Sequence, residues 1–189
     1  MTVQESSGSP RDAVATDNLS LVITEYNALR EEILKRIEID HQLIALALIA
    51  PGTLLTIGLQ VRSASIIFVY PFLALFLSMI WVLNETGIHE AGEYIRDRIE
   101  SKVGENCIGW QHYRSSRKIE MFWALSNVGP RAIFIGTELL AILAGISVAR
   151  LDAVETVLLI VDILSALLTI ALLARFPLRR MVQLRRRKI

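Results

Sequence analysis

Two carboxylic acids stand inside runs of residues that are otherwise suited to lipid. Glu138 interrupts "IGTELLAILAG" (135 to 145) and Asp162 interrupts "LLIVDILSALL" (158 to 168). An ionised carboxylate at a bilayer centre costs at least about 2.5 kcal/mol on insertion scales, so both side chains are expected to face protein rather than acyl chains. Glu138 shares its helical face with Ala141, Gly145 and Ala149, small residues that let a second helix approach closely. Asp162 shares its face with Glu155, Ser165, Ala166 and Thr169, a polar stripe. At 1.5 Å rise per residue, Glu138 lies about 10 Å and Asp162 about 18 Å from the same membrane boundary, within reach of a link through side chains or a water. With no Lys or Arg inside the spans, Arg131 and Arg175 standing at the rim and extending toward water, the acids are expected either to hold protons and donate hydrogen bonds as polar glue, or to form a proton or cation path.

Other chemistry is sparse. Glu85, His89 and Glu93 recur at steps of four, a spacing that brings two carboxylates and an imidazole to one helix face. The stretch "HEAGE" lacks the second histidine of HExxH, so protease chemistry has no support and a solvated face is expected. His41 and His112 have no comparable neighbours and read as interfacial polar residues. No nucleophile stands with a base, and no glycine loop is built to cradle phosphate, so no enzyme, cofactor or bound metal is expected. The one cysteine, Cys107, excludes an intrachain disulfide and fits a reducing compartment.

The elements that must position the acids are helices. Of 189 residues 53% are apolar and mean hydropathy is +0.47, too high for an ordinary soluble core of this size. Four runs are long enough to cross about 30 Å of hydrocarbon: 43 to 61, 63 to 83, 131 to 149 and 156 to 174. Short links at Arg62 and at "RLDAVE" make them two antiparallel hairpins. The expected fold is therefore all-α, an integral membrane four-helix bundle with cytoplasmic amphipathic extensions. Pro51 and Pro71 should kink the first hairpin, which neighbouring helices can absorb. Residues 1 to 17 are small and polar and are expected to be disordered, and the first span to act as its own insertion signal.

Residues 18 to 42 place Val22, Tyr26, Leu29, Ile33 and Ile37 at helical steps behind the candidate N-caps Asp17, Asn18 and Ser20. After the second span Ile88, Ala91, Ile95 and Ile99 repeat the stripe, ended by Gly104, so the two extensions should close on each other as a short stalk. In the rest of 84 to 130, Trp110, Tyr113 and Trp123 beside Arg114, Arg117 and Lys118 suit a short helix on the membrane surface, with Pro130 in the first turn of the third span. Lipid is the expected partner there, and nucleic acid is not. Only Arg62 and Arg150 of the twenty basic residues lie at the hairpin tips. The positive-inside rule then puts both termini and the long loop in the cytoplasm, with the chain in the inner (plasma) membrane. In the polybasic tail 175 to 189, Arg179, Arg180, Arg185, Arg186, Arg187 and Lys188 are expected to meet lipid headgroups.

The segment "EYNALREEILKRIEIDHQLIALAL", the proline-bearing hairpin and "GWQHY" resemble a loosely defined group of small bacterial multi-spanning proteins with no settled function. The plan of amphipathic helix, two spans and trailing helix is also similar to SLATT-type membrane effectors of bacterial conflict systems, which implies pore formation. The second hairpin departs from that plan. Two functions follow as expectations. The first is a non-enzymatic, oligomeric membrane protein that docks a soluble partner on its cytoplasmic helices. The second is a channel, pore-forming effector or ion-coupled transporter using Glu138 and Asp162.

Overall fold

A computed structural model of the chain describes residues 10–101, 120–150 and 152–186, with side chains placed over 17–101, 128–150 and 152–174. The described residues are helical, without strands. Helix α1 is Pro10–Val61, α2 is the short Ala64–Ile67, α3 is Val69–Tyr94 continued by a π-helical turn Ile95–Glu100, α4 is Glu120–Val148 and α5 is Ala153–Arg186. Four helices are long and apolar enough to cross a membrane. Their most apolar windows are only 17% to 44% buried, so most of this apolar surface points outward, where water would penalise it and lipid would not.

Contacts divide the chain into two compact units, residues 10–37 with 87–101, and residues 38–86 with 120–150 and 152–186. In the first unit, Ile33 packs with Ala91, Ile95 and Ile99, flanked by Tyr26, Leu29 and Ile88. These are seven of the nine stripe residues read from the sequence; Val22 and Ile37, expected on the same stripe, are exposed. A stripe stepping by four overshoots an α-helical turn by about 40° each time. The wider π turn advances less per residue, which keeps Ile99 under Ile95 and Ala91. The Tyr94 hydroxyl donates to Glu25 at 2.7 Å and Arg36 pairs with Glu32 at 2.7 Å.

The second unit holds the apolar helices. One core joins Ala47 of α1, Leu77 and Trp81 of α3, Phe134 of α4 and Leu173 of α5. Another joins Ile67 of α2, Tyr70 and Ala74 of α3 and Ala141 of α4, with Leu54 and Val148 against them. Between α1 and α2 the chain reverses at Arg62, whose φ of 55° is left-handed. Ser63 N–H bonds the Gly58 carbonyl at 2.9 Å and Arg62 N–H the Leu59 carbonyl at 3.3 Å, the paired bonds of a Schellman stop. The Ile67 side chain lies against Gly58, where a methyl group would collide with it.

Helix limits differ from the sequence reading at three places. Residues 10–17, expected to be disordered, are helical, because Pro10 suits a first turn and the stripe behind it continues; residues 1–9 lie outside the described part. Ser20 does not cap the helix but donates its hydroxyl to the Asp17 carbonyl within it. Helix α4 starts at Glu120, so Pro130 is inside it and 120–130 is no separate surface helix; residues 102–119, with Trp110, Tyr113, His112 and Cys107, lie outside the described part. Helix α5 runs on through Arg186, so most of the basic tail continues the fourth span as helix-favouring Leu and Arg allow.

Candidate functional site

The site is built on facing stretches of α4 and α5. Glu138 and Asp162 are each 1% exposed, Ser165 4% and Thr169 0%. Asp162, Ser165 and Thr169 fall at i, i+3 and i+7, one face of α5, while Glu138 comes from α4. The Thr169 hydroxyl donates to Glu138 Oε1 at 3.2 Å. Glu138 Oε2, Asp162 Oδ2 and Ser165 Oγ are buried with no hydrogen-bond partner. Burying such atoms unpaired costs about 1 to 3 kcal/mol each, and more when charged.

Serine and threonine in helices usually return their hydroxyls to a carbonyl three or four residues back. Thr53, Thr56, Ser78, Thr86, Thr137 and Ser147 all do so. Ser165 makes no such bond, and Thr169 instead reaches across to an acid. Of the two hydroxyls on this face, that of Thr169 goes to Glu138, and that of Ser165 goes neither to its own helix nor to an acid.

Buried apolar residues flank Glu138 along α4. On the Arg131 side, Phe134 meets Trp81 at 6.1 Å between ring centroids, in the core shared with Ala47, Leu77 and Leu173. On the other side Ala141 is fully buried, and the Phe68 ring lies against Gly145 where a methyl group would collide with it. Gly145 and Ala141 thus serve close approach between α4 and its neighbours, and Ala149 is half-buried at the end of the same face. α2 packs on both α4 and α5.

Tyr70 is a neighbour the sequence reading missed. Pro51 has no N–H, so the Ala47 carbonyl lacks its partner four residues on. The Tyr70 hydroxyl donates to that carbonyl at 2.8 Å and lies 2.8 Å from the Thr137 hydroxyl, beside Glu138. One phenol thereby ties α1, α3 and α4 together next to the acids. A proline inside an apolar run, with a buried tyrosine opposite, is the signal that points to such a bond.

A second polar group sits just before the first span. Asn84 donates to Asp40 Oδ1 at 2.7 Å. Burial, opposed by that bond and aided by the neighbouring Glu85 carboxylate, lifts the Asp40 carboxyl to about 6. Arg131 stands close enough to Glu85 for their charges to attract.

Glu85, His89 and Glu93 do not form a metal-binding group, and no three His, Cys, Asp or Glu side chains come together to hold a metal among the described residues. Trp123 lies in α4 and Arg179, Arg180, Arg185 and Arg186 in α5 with their side chains outside what the structure describes, as are Arg187 and Lys188 altogether. The fold and site together define a helical protein with four candidate membrane spans and an enclosed carboxyl pair. Comparison with protein families, curated proteins and solved structures found no match.

Proposed function

We propose that the chain is a multi-spanning membrane protein that binds and passes a proton or small cation at Glu138 and Asp162, as an ion-coupled transporter or gated channel. One observation carries this: two acids and two hydroxyls buried among apolar helices, with Arg131 at the rim of the third span the only Lys or Arg in the four spans, and three oxygens without a hydrogen bond. Polar glue would be expected to satisfy its own donors and acceptors, as Tyr70, Ala47 and Thr137 do here. The near-complete burial of Glu138, Asp162, Ser165 and Thr169 favours an occluded site over an open pore. The reading places the chain in the inner (plasma) membrane as two antiparallel hairpins, termini inward, with the basic tail on lipid headgroups. It acts there as a homo-oligomer without enzymatic activity.

The test is flux in proteoliposomes. The full chain should dissipate an imposed proton or sodium gradient, and Asp162→Asn should reduce that flux at least tenfold while leaving helicity and oligomer size unchanged. Flux that is unaffected by Asp162→Asn and Glu138→Gln would refute the proposal. A second reading, docking of a soluble partner, is favoured by Leu19, Leu21, Ile23 and Leu34, which stay exposed on α1 ahead of its apolar run. A soluble protein that co-purifies with the chain and is lost when these residues become serine would support it.

A further inference from the structure

We infer that Glu138, Asp162, Ser165 and Thr169 form a binding site for one dehydrated monovalent cation of sodium size, which exchanges with a proton. The inference rests on the proposed role of the same carboxyl pair and names its ligand.

Three arguments lead there. The first is ligand chemistry. The cluster offers oxygen alone, from two carboxyls and two hydroxyls, and oxygen ligands suit hard cations. The second is spacing. Glu138 Oε2, Asp162 Oδ2 and Ser165 Oγ share one buried region yet none is hydrogen-bonded to another. Oxygens gathered round an ion stand farther apart than hydrogen-bonded oxygens do, because each is set at the metal–oxygen distance from a common centre. Hydroxyls are also free to rotate a lone pair toward an ion, and Ser165 has not spent its proton on its own helix.

The third argument is charge. Both acids ionised would leave two negative charges enclosed without a counter-charge, which is the costly state. Two bound protons neutralise the pair, and so do one proton and one monovalent cation. Exchange between these states keeps the buried charge at zero: the cation enters, one carboxyl gives its proton to the aqueous phase, and the other proton stays. Ca²⁺ seeks six to eight oxygens and Mg²⁺ retains much of its water, whereas this enclosure supplies four side chains and apolar walls.

The experiment uses the purified full chain in lipid nanodiscs, in weak buffer with a pH-indicating dye. Sodium chloride should cause saturable proton release, approaching one proton per chain, that choline chloride at the same ionic strength does not cause. Ser165→Ala should raise the half-saturating sodium concentration about tenfold, and Asp162→Asn should abolish release while circular dichroism stays unchanged. Absence of sodium-specific release from the unaltered chain would overturn the assignment, as would release that persists unchanged in both variants. Saturation by calcium at lower concentration than sodium would also overturn it. Proton flux in sodium-free proteoliposomes, with no sodium-linked release, would remove this ligand and leave the transport proposal standing. Sodium-linked release without flux would support the ligand and remove transport.

Discussion

Asp40 shows how a single side chain couples the fold to pH. Its carboxyl titrates at about 6, against 3.8 when unperturbed, chiefly because burial penalises the charged form; the Asn84 bond pulls the other way, and the facing Glu85 adds repulsion that His41 partly offsets. A carboxyl whose pKa is raised by folding binds its proton more tightly in the folded state. Its stabilising contribution is therefore complete below about 3.8 and is lost as pH climbs through about 6. Thermal unfolding in detergent should shift to higher temperature as pH falls from 7 to 5, and Asp40→Asn should flatten that slope. An unchanged slope in the variant would place the titration elsewhere.

At the same scale, the inward placement of Glu138 and Asp162 was legible in the sequence because hydrocarbon leaves a carboxyl few other places to go. Ser165 and Thr169 followed from helical spacing. The loss of partners on three of their oxygens was not legible, since it depends on angstrom-level distances between two helices. Nor was the Asp40–Asn84 bond, whose partners are separated by most of the first hairpin.

Among elements, Pro51 and Tyr70 act as a unit. Proline removes the donor that a helix would have given the Ala47 carbonyl, and tyrosine from the next helix supplies one. Tyr70→Phe should then strand a buried carbonyl and cost about 1 to 3 kcal/mol of stability. In a Pro51→Ala background, where an N–H returns, the same change should cost less than half as much. A double-mutant cycle measured by unfolding in mixed micelles checks this, and additive losses would contradict it. The sequence marks both prolines as kinks, yet the repair of one by a distant hydroxyl comes from tertiary packing. The apolar period gives the existence and span of α1, α3, α4 and α5. It does not give the π turn, the early start of α4 or the extension of α5, because polar stretches that continue a helix carry no change of period.

For the whole molecule, the segregation of basic residues is the strongest orienting force. Cys107, which falls between the second and third apolar runs in the sequence, reports on it. A membrane-impermeant thiol reagent should label Cys107 in broken cells and leave it unlabelled in intact ones. Labelling of intact cells would reverse the orientation and move every segment assigned to the cytoplasm. The outward-facing leucines, isoleucines and valines of the four apolar helices call for a lipid solvent under either orientation.

The depth of the carboxyl pair has an electrical meaning. On the proposed function and topology, with the pair about 10 to 18 Å into roughly 30 Å of hydrocarbon, an ion bound at Glu138 and Asp162 would have crossed about half of the resting voltage. Moving one charge through the full field is worth about 2.3 kcal/mol per 100 mV, so occupancy from one aqueous phase would change by about 1 kcal/mol, or roughly fivefold, for each 100 mV. An interior-negative cell would in this way draw cations inward from the far side and hold them back from the near one.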